Sequence, residues 1–414
     1  MSTKEELKKI WNLLSQSTNI PVLLLAGGLS MLGAGFLNPI FALYFMEKGI
    51  SFVGLGIIFS AASALSLILK PLIGHVSDTY GRRKLIVGFS LVVSLLTPLY
   101  LFIRSVLGLA LVHSSRTVLS ESSQPAFSAM VGDVAPQEGR ATLFGFYSSV
   151  QSIVYVVALF GGGAILATGF SLEGLFYITS AFFLFSSIVL AVFLKETIEV
   201  GKVVRPVETT SRMQRFFAEL GNLATDRSTL GLMLYSFFFT FALRVYPVYI
   251  PLFVVKVFGI GKEFVGPIVA VSWITYAIIQ PYGGWLSDRW GKRKVFILLG
   301  LTLIVLFNFA MAISPTLVWV VVFWALIGIG DGMFRPVMSA LIVDVVPPTR
   351  RGAYFGTFGS VGGMASIMAP LVFGIVAELY SIRWTFLITS VFYALAMITV
   401  AILVKEGKVI GEGE

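Results

Sequence analysis

Five charged side chains lie near the middle of long apolar stretches of this sequence. They are Arg116, Glu121, Arg244, Asp331 and Arg335. Charge inside a hydrocarbon layer is costly, and such groups usually bind a proton, an ion or a charged ligand. Asp331 and Arg335 are four residues apart with the acid first, which suits an ion pair within one helix. The candidate chemistry is therefore reversible proton binding and recognition of a polar ligand.

The two acids among these five residues, Glu121 and Asp331, are candidates for carrying a coupling proton. Asp331 is expected to stay ionised because the neighbouring Arg335 stabilises a carboxylate. Glu121 is expected to be buried, and a carboxyl group removed from water takes up a proton more readily. Glu121 is therefore the better proton carrier of the two. Alternatively, Arg116–Glu121 and Asp331–Arg335 are purely structural pairs.

A ligand cavity is predicted from basic, amide and aromatic residues on several helices. Arg244 is predicted to contact the ligand or to pair with Glu121 or Asp331. The polar residues between positions 116 and 124 cover about 160° of a helical wheel, so that face is predicted to meet water. Lys70 lies nearer a helix end and is predicted to extend its ammonium group to the membrane surface. The cavity candidates are Arg116, Gln124, Arg244, Arg335, Asn38, Tyr147, Tyr246 and Trp273.

Such side chains need membrane-crossing helices to position them, and the composition supports that class. Hydrophobic residues make up 57% of the 414 residues and charged residues only 12%, about half the charge of a soluble protein. A helix crosses the bilayer with about 20 apolar residues. The sequence predicts an all-α membrane protein with twelve transmembrane helices, at residues 20–46, 51–74, 84–104, 106–133, 141–168, 172–195, 228–257, 262–285, 294–313, 316–343, 352–378 and 383–404.

The basic residues between these spans predict the topology. With both termini in the cytoplasm, the inner segments carry 21 Lys and Arg residues and the outer segments carry five. Cytoplasmic loops are enriched in Lys and Arg, so this asymmetry predicts a multi-pass protein of the cell membrane with both termini cytoplasmic. The longest polar interval, 196–227, is predicted to link two domains, 1–195 and 228–414.

The two predicted domains repeat each other in sequence. "GHVSDTYGRRK" at 74–84 matches "GWLSDRWGKRK" at 284–294, an offset of 210 residues. With an offset of 211, "QPAFSAMVGDVAPQEGRATLFGFYSS" at 124–149 matches "RPVMSALIVDVVPPTRRGAYFGTFGS" at 335–360. A duplicated six-helix unit predicts two pseudo-symmetric bundles with a ligand site between them.

The repeated phrase, which follows the second span of each half, resembles the loop signature of the major facilitator superfamily (MFS). Arg116 in the fourth span, 17 residues before Asp133, is similar to the arginine motif of the same family, with Ser120 in place of the usual glycine. The resemblance covers essentially the whole chain and is nearest to drug-exporter-like twelve-helix members. It implies secondary transport by alternating access.

The resemblance also implies a cytoplasmic gate made of charged residues. Asp78 would face the positive end of a helix from the other half, while Arg82 would bridge to Asp133. Asp288, Lys292 and Asp344 would repeat this arrangement. Alternatively, the basic residues only determine topology. The gate residues are Gly74, Asp78, Gly81, Arg82, Arg83, Asp133, Gly284, Asp288, Gly291, Lys292, Arg293 and Asp344.

Inventory excludes several function classes. The chain has no cysteine and two histidines, and it lacks a G-x-x-x-x-G-K-[ST] phosphate loop. We therefore expect no enzyme activity, no cofactor or metal and no nucleic-acid partner.

The function that the sequence supports best is that of a monomeric, proton-coupled exporter of amphipathic small molecules. Two features depart from the pattern of family exporters: the fifth span lacks the Gly-Pro element of antiporters, and the first span has Asn38 but no acid. The alternative is a proton- or sodium-coupled transporter of a polar or anionic metabolite bound by Arg244 and Arg335. A non-transporting receptor is disfavoured by two intact gate motifs.

Overall fold

The computed structural model describes residues 17–134, 140–197, 227–346 and 351–405. Within these ranges every regular element is helical. Most helices are rich in Leu, Ile, Val, Phe and Ala, and ten helices or helix pairs in the described part are long and apolar enough to cross a membrane. The chain is therefore a multi-pass, all-α membrane protein.

The helices are numbered in chain order. They are α1 (Asn19–Leu37), α2 (Phe41–Glu47), α3 (Phe52–Tyr80), α4 (Arg82–Leu99), α5 (Val106–Val134), α6 (Arg140–Ala167), α7 (Leu172–Phe193), α8 (Arg227–Leu243), α9 (Tyr246–Leu252), α10 (Val265–Trp290), α11 (Arg293–Ala312), α12 (Leu317–Val345), α13 (Arg351–Leu379) and α14 (Ile382–Leu403).

The third and fourth predicted spans correspond to α4 and α5, which are not among the ten apolar segments. Helix α4 has 18 residues and begins with three basic ones. Helix α5 has 29 residues but carries a serine-rich polar stretch around Arg116 and Glu121. Both are helical where the twelve-span prediction places them, and polar side chains lower their mean hydropathy.

Two of the predicted spans are each interrupted near the middle. The first consists of α1 and α2, joined by a 3₁₀ turn at Asn38–Ile40 that contains Pro39. The seventh consists of α8, α9 and a π-helical turn at Phe253–Val257, with Arg244 between α8 and α9. Proline removes a backbone donor and disrupts the preceding helical turn. These breaks place Asn38 and Arg244 at irregular positions within the predicted spans.

By contacts, the described chain divides into two compact units. Unit 1 contains the described residues of Met1–Tyr44 and Leu65–Val207, and unit 2 those of Phe45–Ala64 and Glu208–Glu414. Most of the linker predicted at 196–227 lies outside the described residues, so the predicted domain boundary stays a prediction.

Unit 1 has an apolar core where α1, α4, α5, α6 and α7 meet. Leu23, Ile86, Met130 and Leu190 are almost completely inaccessible there. In unit 2, α10, α11 and α12 approach so closely that a Cβ at Gly300 would lie 2.7 Å from the carbonyl oxygen of Gly330. Small residues of this kind let membrane helices pack backbone to backbone. Each unit thus holds its charged side chains on tightly packed helices.

Candidate functional site

The first gate motif positions an arginine by means of a glycine turn. Gly81 has φ 102°, a left-handed conformation that favours glycine, and α4 begins immediately after it at Arg82. The Arg82 guanidinium forms an ion pair with Asp133 at the end of α5. Asp133 also accepts a hydrogen bond of 2.7 Å from the hydroxyl group of Thr197. The contact implied for Arg82 and Asp133 is present, whereas Thr197 was not anticipated.

A second unanticipated residue, Glu196, lies against the first turn of α4. Its carboxylate oxygens accept hydrogen bonds from the backbone N–H groups of Arg82, at 3.3 Å, and Arg83, at 3.0 Å. The first N–H groups of a helix lack partners within the helix, and a carboxylate is favoured there. The Arg83 guanidinium donates to the carbonyl oxygen of Ala191 at 2.6 Å. The start of the predicted linker is therefore part of the motif.

One sequence signal could have identified Glu196. The pair Lys195–Glu196, directly after the sixth span, recurs as Lys405–Glu406 after the twelfth, again at an offset of 210. Glu406 lies outside the described residues.

The second gate motif uses a different residue from the one expected. Arg293, not Lys292, pairs with Asp344 at 2.7 Å, and it lies 3.7 Å from Asp288. Gly291, at φ 64°, ends α10, and α11 begins at Arg293, one position later than the matching residue of α4. The bridging side chain is therefore the first residue after the motif glycine in unit 1, Arg82, but the second in unit 2, Arg293, so the Lys292 prediction is corrected. Lys292 itself is exposed.

For four other gate and cavity candidates, the structure gives the helix on which each residue lies but no side-chain contact. Gly74 and Asp78 lie in α3 and Gln124 in α5, but their side chains fall outside the described part of the chain. Gly284 lies in α10 with no atom within 4 Å of where a Cβ would be. The proposed roles of these four residues stay predictions.

Arg116 is buried, so the prediction that its face of α5 meets water is wrong at this position. Its guanidinium carbon lies 5.0 Å from the ring centroid of Phe41 and 5.6 Å from that of Phe183, and the residue is only 5% exposed. A cation over aromatic faces is stabilised by the ring quadrupole. Next to it, the Tyr100 hydroxyl and His113 Nδ1 are 3.0 Å apart. No described carboxylate forms an ion pair with Arg116. The pair predicted between Arg116 and Glu121 is therefore not formed.

Glu121 pairs instead with Lys70 of α3. The distance from Lys70 Nζ to Glu121 Oε2 is 2.5 Å, and the two side chains are 43% and 36% exposed. Two predictions are therefore corrected: Glu121 is not buried, and Lys70 turns to an acid rather than to the membrane surface. Both corrections concern the same contact between the Lys70 ammonium group and the Glu121 carboxylate.

Asp331 and Arg335 form a two-point pair on α12. Arg335 Nε and Nη2 donate to the two carboxylate oxygens of Asp331 at 2.9 and 3.0 Å. The guanidinium carbon also lies 5.4 Å from the ring centroid of Phe239 and 5.8 Å from that of Tyr276. Parallel hydrogen bonds fix both geometry and charge. Asp331 and Arg335 therefore stay paired, with their opposite charges held in fixed positions inside unit 2.

The aromatic candidates differ in accessibility. Tyr246 is 8% exposed and its hydroxyl group is hydrogen-bonded to the side-chain amide of Asn308, so it is part of the unit 2 core. Trp273 is 41% exposed and contacts Tyr276 edge-on. Tyr147 is half-buried against the unit 1 core. Of these, Trp273 is the most accessible to a ligand.

Two further polar candidates lie at the helix breaks. Asn38 is exposed in the 3₁₀ turn between α1 and α2. Arg244, between α8 and α9, is half-buried, and its Nε donates to the hydroxyl group of Ser366 on α13 at 3.0 Å. Both occupy the irregular positions where membrane proteins commonly bind polar ligands.

Comparison with known proteins places this arrangement in a family. The model of the Major Facilitator Superfamily matches residues 23–274 and, in a second match, 232–411. An uncharacterized MFS-type transporter of Methanocaldococcus jannaschii is 22% identical over 382 residues, covering 90% of this chain and 95% of that protein. Multidrug resistance protein 2 of Bacillus subtilis is 23% identical over 376 residues, covering 90% and 92%. A solved structure of a mutant of the nucleoside transporter NupG superposes with a TM-score of 0.80 at 15% identity, covering 94% of this chain and all of that one.

Proposed function

Because this chain belongs to the Major Facilitator Superfamily, we propose that it exports amphipathic small molecules in exchange for protons. Its family consists of multi-pass membrane transporters of small molecules and not of enzymes. Export, proton coupling and the preference for amphipathic compounds are the proposed parts. A relative that aligns over nine-tenths of the chain is named a multidrug resistance protein, which supports export of amphipathic compounds.

The observation that carries the proposal is the partly exposed carboxylate of Glu121 near the middle of α5, which corresponds to the fourth predicted span. It lies thirteen residues before the end of α5 at Val134, a rise of about 20 Å, which supports a position within the membrane layer. A partly exposed carboxylate in that layer can bind a proton or a cation and release it again. Asp331, fixed by two hydrogen bonds to Arg335, is the less mobile of the two acids.

Energy for transport would come from an ion gradient, since the sequence carries no phosphate loop for ATP. The 21-to-5 distribution of basic residues supports a cell-membrane protein with both termini in the cytoplasm. We propose that the protein acts as a monomer, with a proton as coupling ion and sodium as the alternative.

A second candidate function is transport of a polar or anionic metabolite. Arg244 favours it, because a half-buried guanidinium at a helix break, beside the Ser366 hydroxyl, suits an anionic group. Under this reading Glu121 is a structural partner of Lys70 and takes no part in coupling.

Proton release during ligand binding tests these alternatives. Tetraphenylphosphonium, a lipophilic cation, and then an organic anion are added to purified protein in weak buffer with a pH dye. Proton release with the cation that is lost in Glu121→Gln and retained in Asp331→Asn supports the exporter. Anion binding that is lost in Arg244→Ala, without proton release by the cation, would replace it with the metabolite transporter.

A further inference from the structure

The Lys70–Glu121 pair is absent from the second half of the repeat. At the matching offsets of 210 and 211 residues, Lys70 corresponds to Gln280 and Glu121 to Gly332. The ion pairs of the gate motif, by contrast, occur in both halves, as Arg82–Asp133 and Arg293–Asp344. The Lys70–Glu121 pair is therefore not part of the duplicated gate motif.

The packing at the matching position shows what the fold requires there. A Cβ on Gly332 would lie 2.9 Å from the carbonyl oxygen of Tyr276 and 3.1 Å from the backbone nitrogen of Gln280. In unit 2 the equivalent helices, α10 and α12, therefore meet backbone to backbone. In unit 1 the same seam carries a glutamate and a lysine whose side chains are more than one-third exposed.

The position and exposure of the pair make the Lys70 ammonium group easy for another cation to replace. Lys70 lies ten residues before the end of α3, about 15 Å along the axis. A charged pair within a membrane span is expected to face the protein interior or a water-filled cavity rather than lipid. An ion pair in contact with water contributes little free energy, because water competes for both charges. Another cation can therefore take the place of the Lys70 ammonium group at little cost.

We propose that Lys70 is a tethered counter-cation that pairs with Glu121 in the empty transporter whenever Glu121 carries no proton, and that a cationic substrate must displace. When Glu121 carries a proton, the substrate displaces the proton instead. By pairing with Glu121, Lys70 sets the affinity for cationic substrates, which rests on the proposed function of Glu121 as the cation-binding acid. The nearest basic residue on α5, Arg116, does not serve this purpose, because its guanidinium group lies between Phe41 and Phe183.

The proposal predicts that removing the Lys70 charge strengthens cation binding. The dissociation constant of tetraphenylphosphonium is measured by calorimetry on the full chain in detergent. Lys70→Met, or Lys70→Gln if the methionine variant is unstable, is expected to lower it about tenfold. Lys70→Arg keeps the tethered cation and is expected to stay within about twofold of the wild type. Gln280→Met, the matching position of the second half, is the control and leaves the constant unchanged.

A double-mutant cycle with Glu121→Gln separates direct competition from a long-range charge effect. Direct competition predicts that Lys70→Met has no effect in the Glu121→Gln background. The proposal for Lys70 would be overturned if Lys70→Met raised the affinity for tetraphenylphosphonium equally in both backgrounds. It would also be overturned if Lys70→Met did not raise this affinity in the wild-type background. If Glu121→Gln binds the cation as tightly as the wild type does, the proposed function of Glu121 fails, which is a separate result.

Discussion

The gate motifs show at the residue scale how a shift of one position changes which side chain forms an ion pair. Arg82 bridges to Asp133 in unit 1, whereas Arg293, the match of Arg83, bridges to Asp344 in unit 2. The difference follows from where the helix after each glycine begins. Equivalent sequence positions therefore do not have equivalent roles in the two halves.

This difference predicts unequal effects of neighbouring substitutions. Arg293→Gln leaves Asp344 without its partner and is expected to slow tetraphenylphosphonium transport several-fold in proteoliposomes. Lys292→Gln, which removes an exposed charge, is expected to stay within about twofold of the wild type. In the first half the order reverses, and Arg82→Gln has the larger effect on the Asp133 pair. Equal effects of Arg293→Gln and Lys292→Gln would contradict the assignment.

Site residues differed in how far the sequence could predict them. Asp331 and Arg335 share one helix, so their spacing of four residues predicts the contact seen between them. Lys70 and Glu121 are on different helices, 51 residues apart in sequence, and no local pattern connects them. The burial of Arg116 was missed for a related reason, since its aromatic neighbours Phe41 and Phe183 come from other helices.

Helix α4 depends, at the element scale, on a residue from outside the helix. Glu196 accepts hydrogen bonds from the N–H groups of Arg82 and Arg83 at the first turn of α4. A side-chain cap of this kind contributes about 1 kcal/mol. The chain that follows α7 thus stabilises a helix that begins more than a hundred residues earlier.

Loss of this cap is expected to loosen the start of α4. Glu196→Ala should increase amide hydrogen exchange in the first turn of α4 about fivefold, which corresponds to about 1 kcal/mol. Lys195→Ala is the matched control, because Lys195 contacts Asn19 through its backbone N–H and C=O groups. Unchanged exchange in Glu196→Ala would show that the cap does not stabilise the helix.

A close helix contact within unit 2 involves the first part of α3. A Cβ on Gly56 would lie 2.7 Å from the carbonyl oxygen of Pro370 and 2.9 Å from the Cα of Leu371, both on α13. Nearby, the N–H group of Phe52 donates to the carboxylate of Glu378 at 2.8 Å. The beginning of α3 is therefore held to α13 by backbone contact and a charged cap.

Gly56→Val is expected to separate these helices, because its side chain would overlap the α13 backbone. The chain has no cysteine, so spin labels can be attached to introduced cysteines at Ser51 and Leu379, both of which are exposed. The label distance should lengthen by several ångströms in Gly56→Val. Gly88→Val, where a Cβ meets nothing within 4 Å, should leave it unchanged. The same distance in both variants would show that the contact is not tight.

Most of the fold is readable from the sequence at the scale of the whole molecule. Long apolar runs, the positive-inside asymmetry and the 210-residue repeat predict a helical membrane protein, and the family match agrees. The helix breaks at Asn38 and Arg244 and the grouping of Phe45–Ala64 with unit 2 were not predicted. They depend on packing between segments far apart in the chain, which hydropathy does not report.

The predicted orientation can be measured in intact cells with the same cysteine-free chain. Cysteines introduced at Lys195 and at Gly259 lie on opposite sides of the membrane in the predicted topology. A membrane-impermeant maleimide is expected to label the position at 259 in intact cells and the one at 195 only after lysis. The reverse pattern would invert the topology and, with it, the assignment of the gate motifs to the cytoplasm.

The grouping of Phe45–Ala64 with unit 2 has a consequence for dividing the gene. A cut in the interval 196–227 yields two polypeptides, and the first carries a twenty-residue apolar segment whose packing partners belong to the second. Expressed by itself, the first fragment would present that segment to lipid or to the cell's quality-control proteases. Synthesised together, the two fragments would complement each other, so a split version of this transporter should accumulate only when both pieces are made in the same cell.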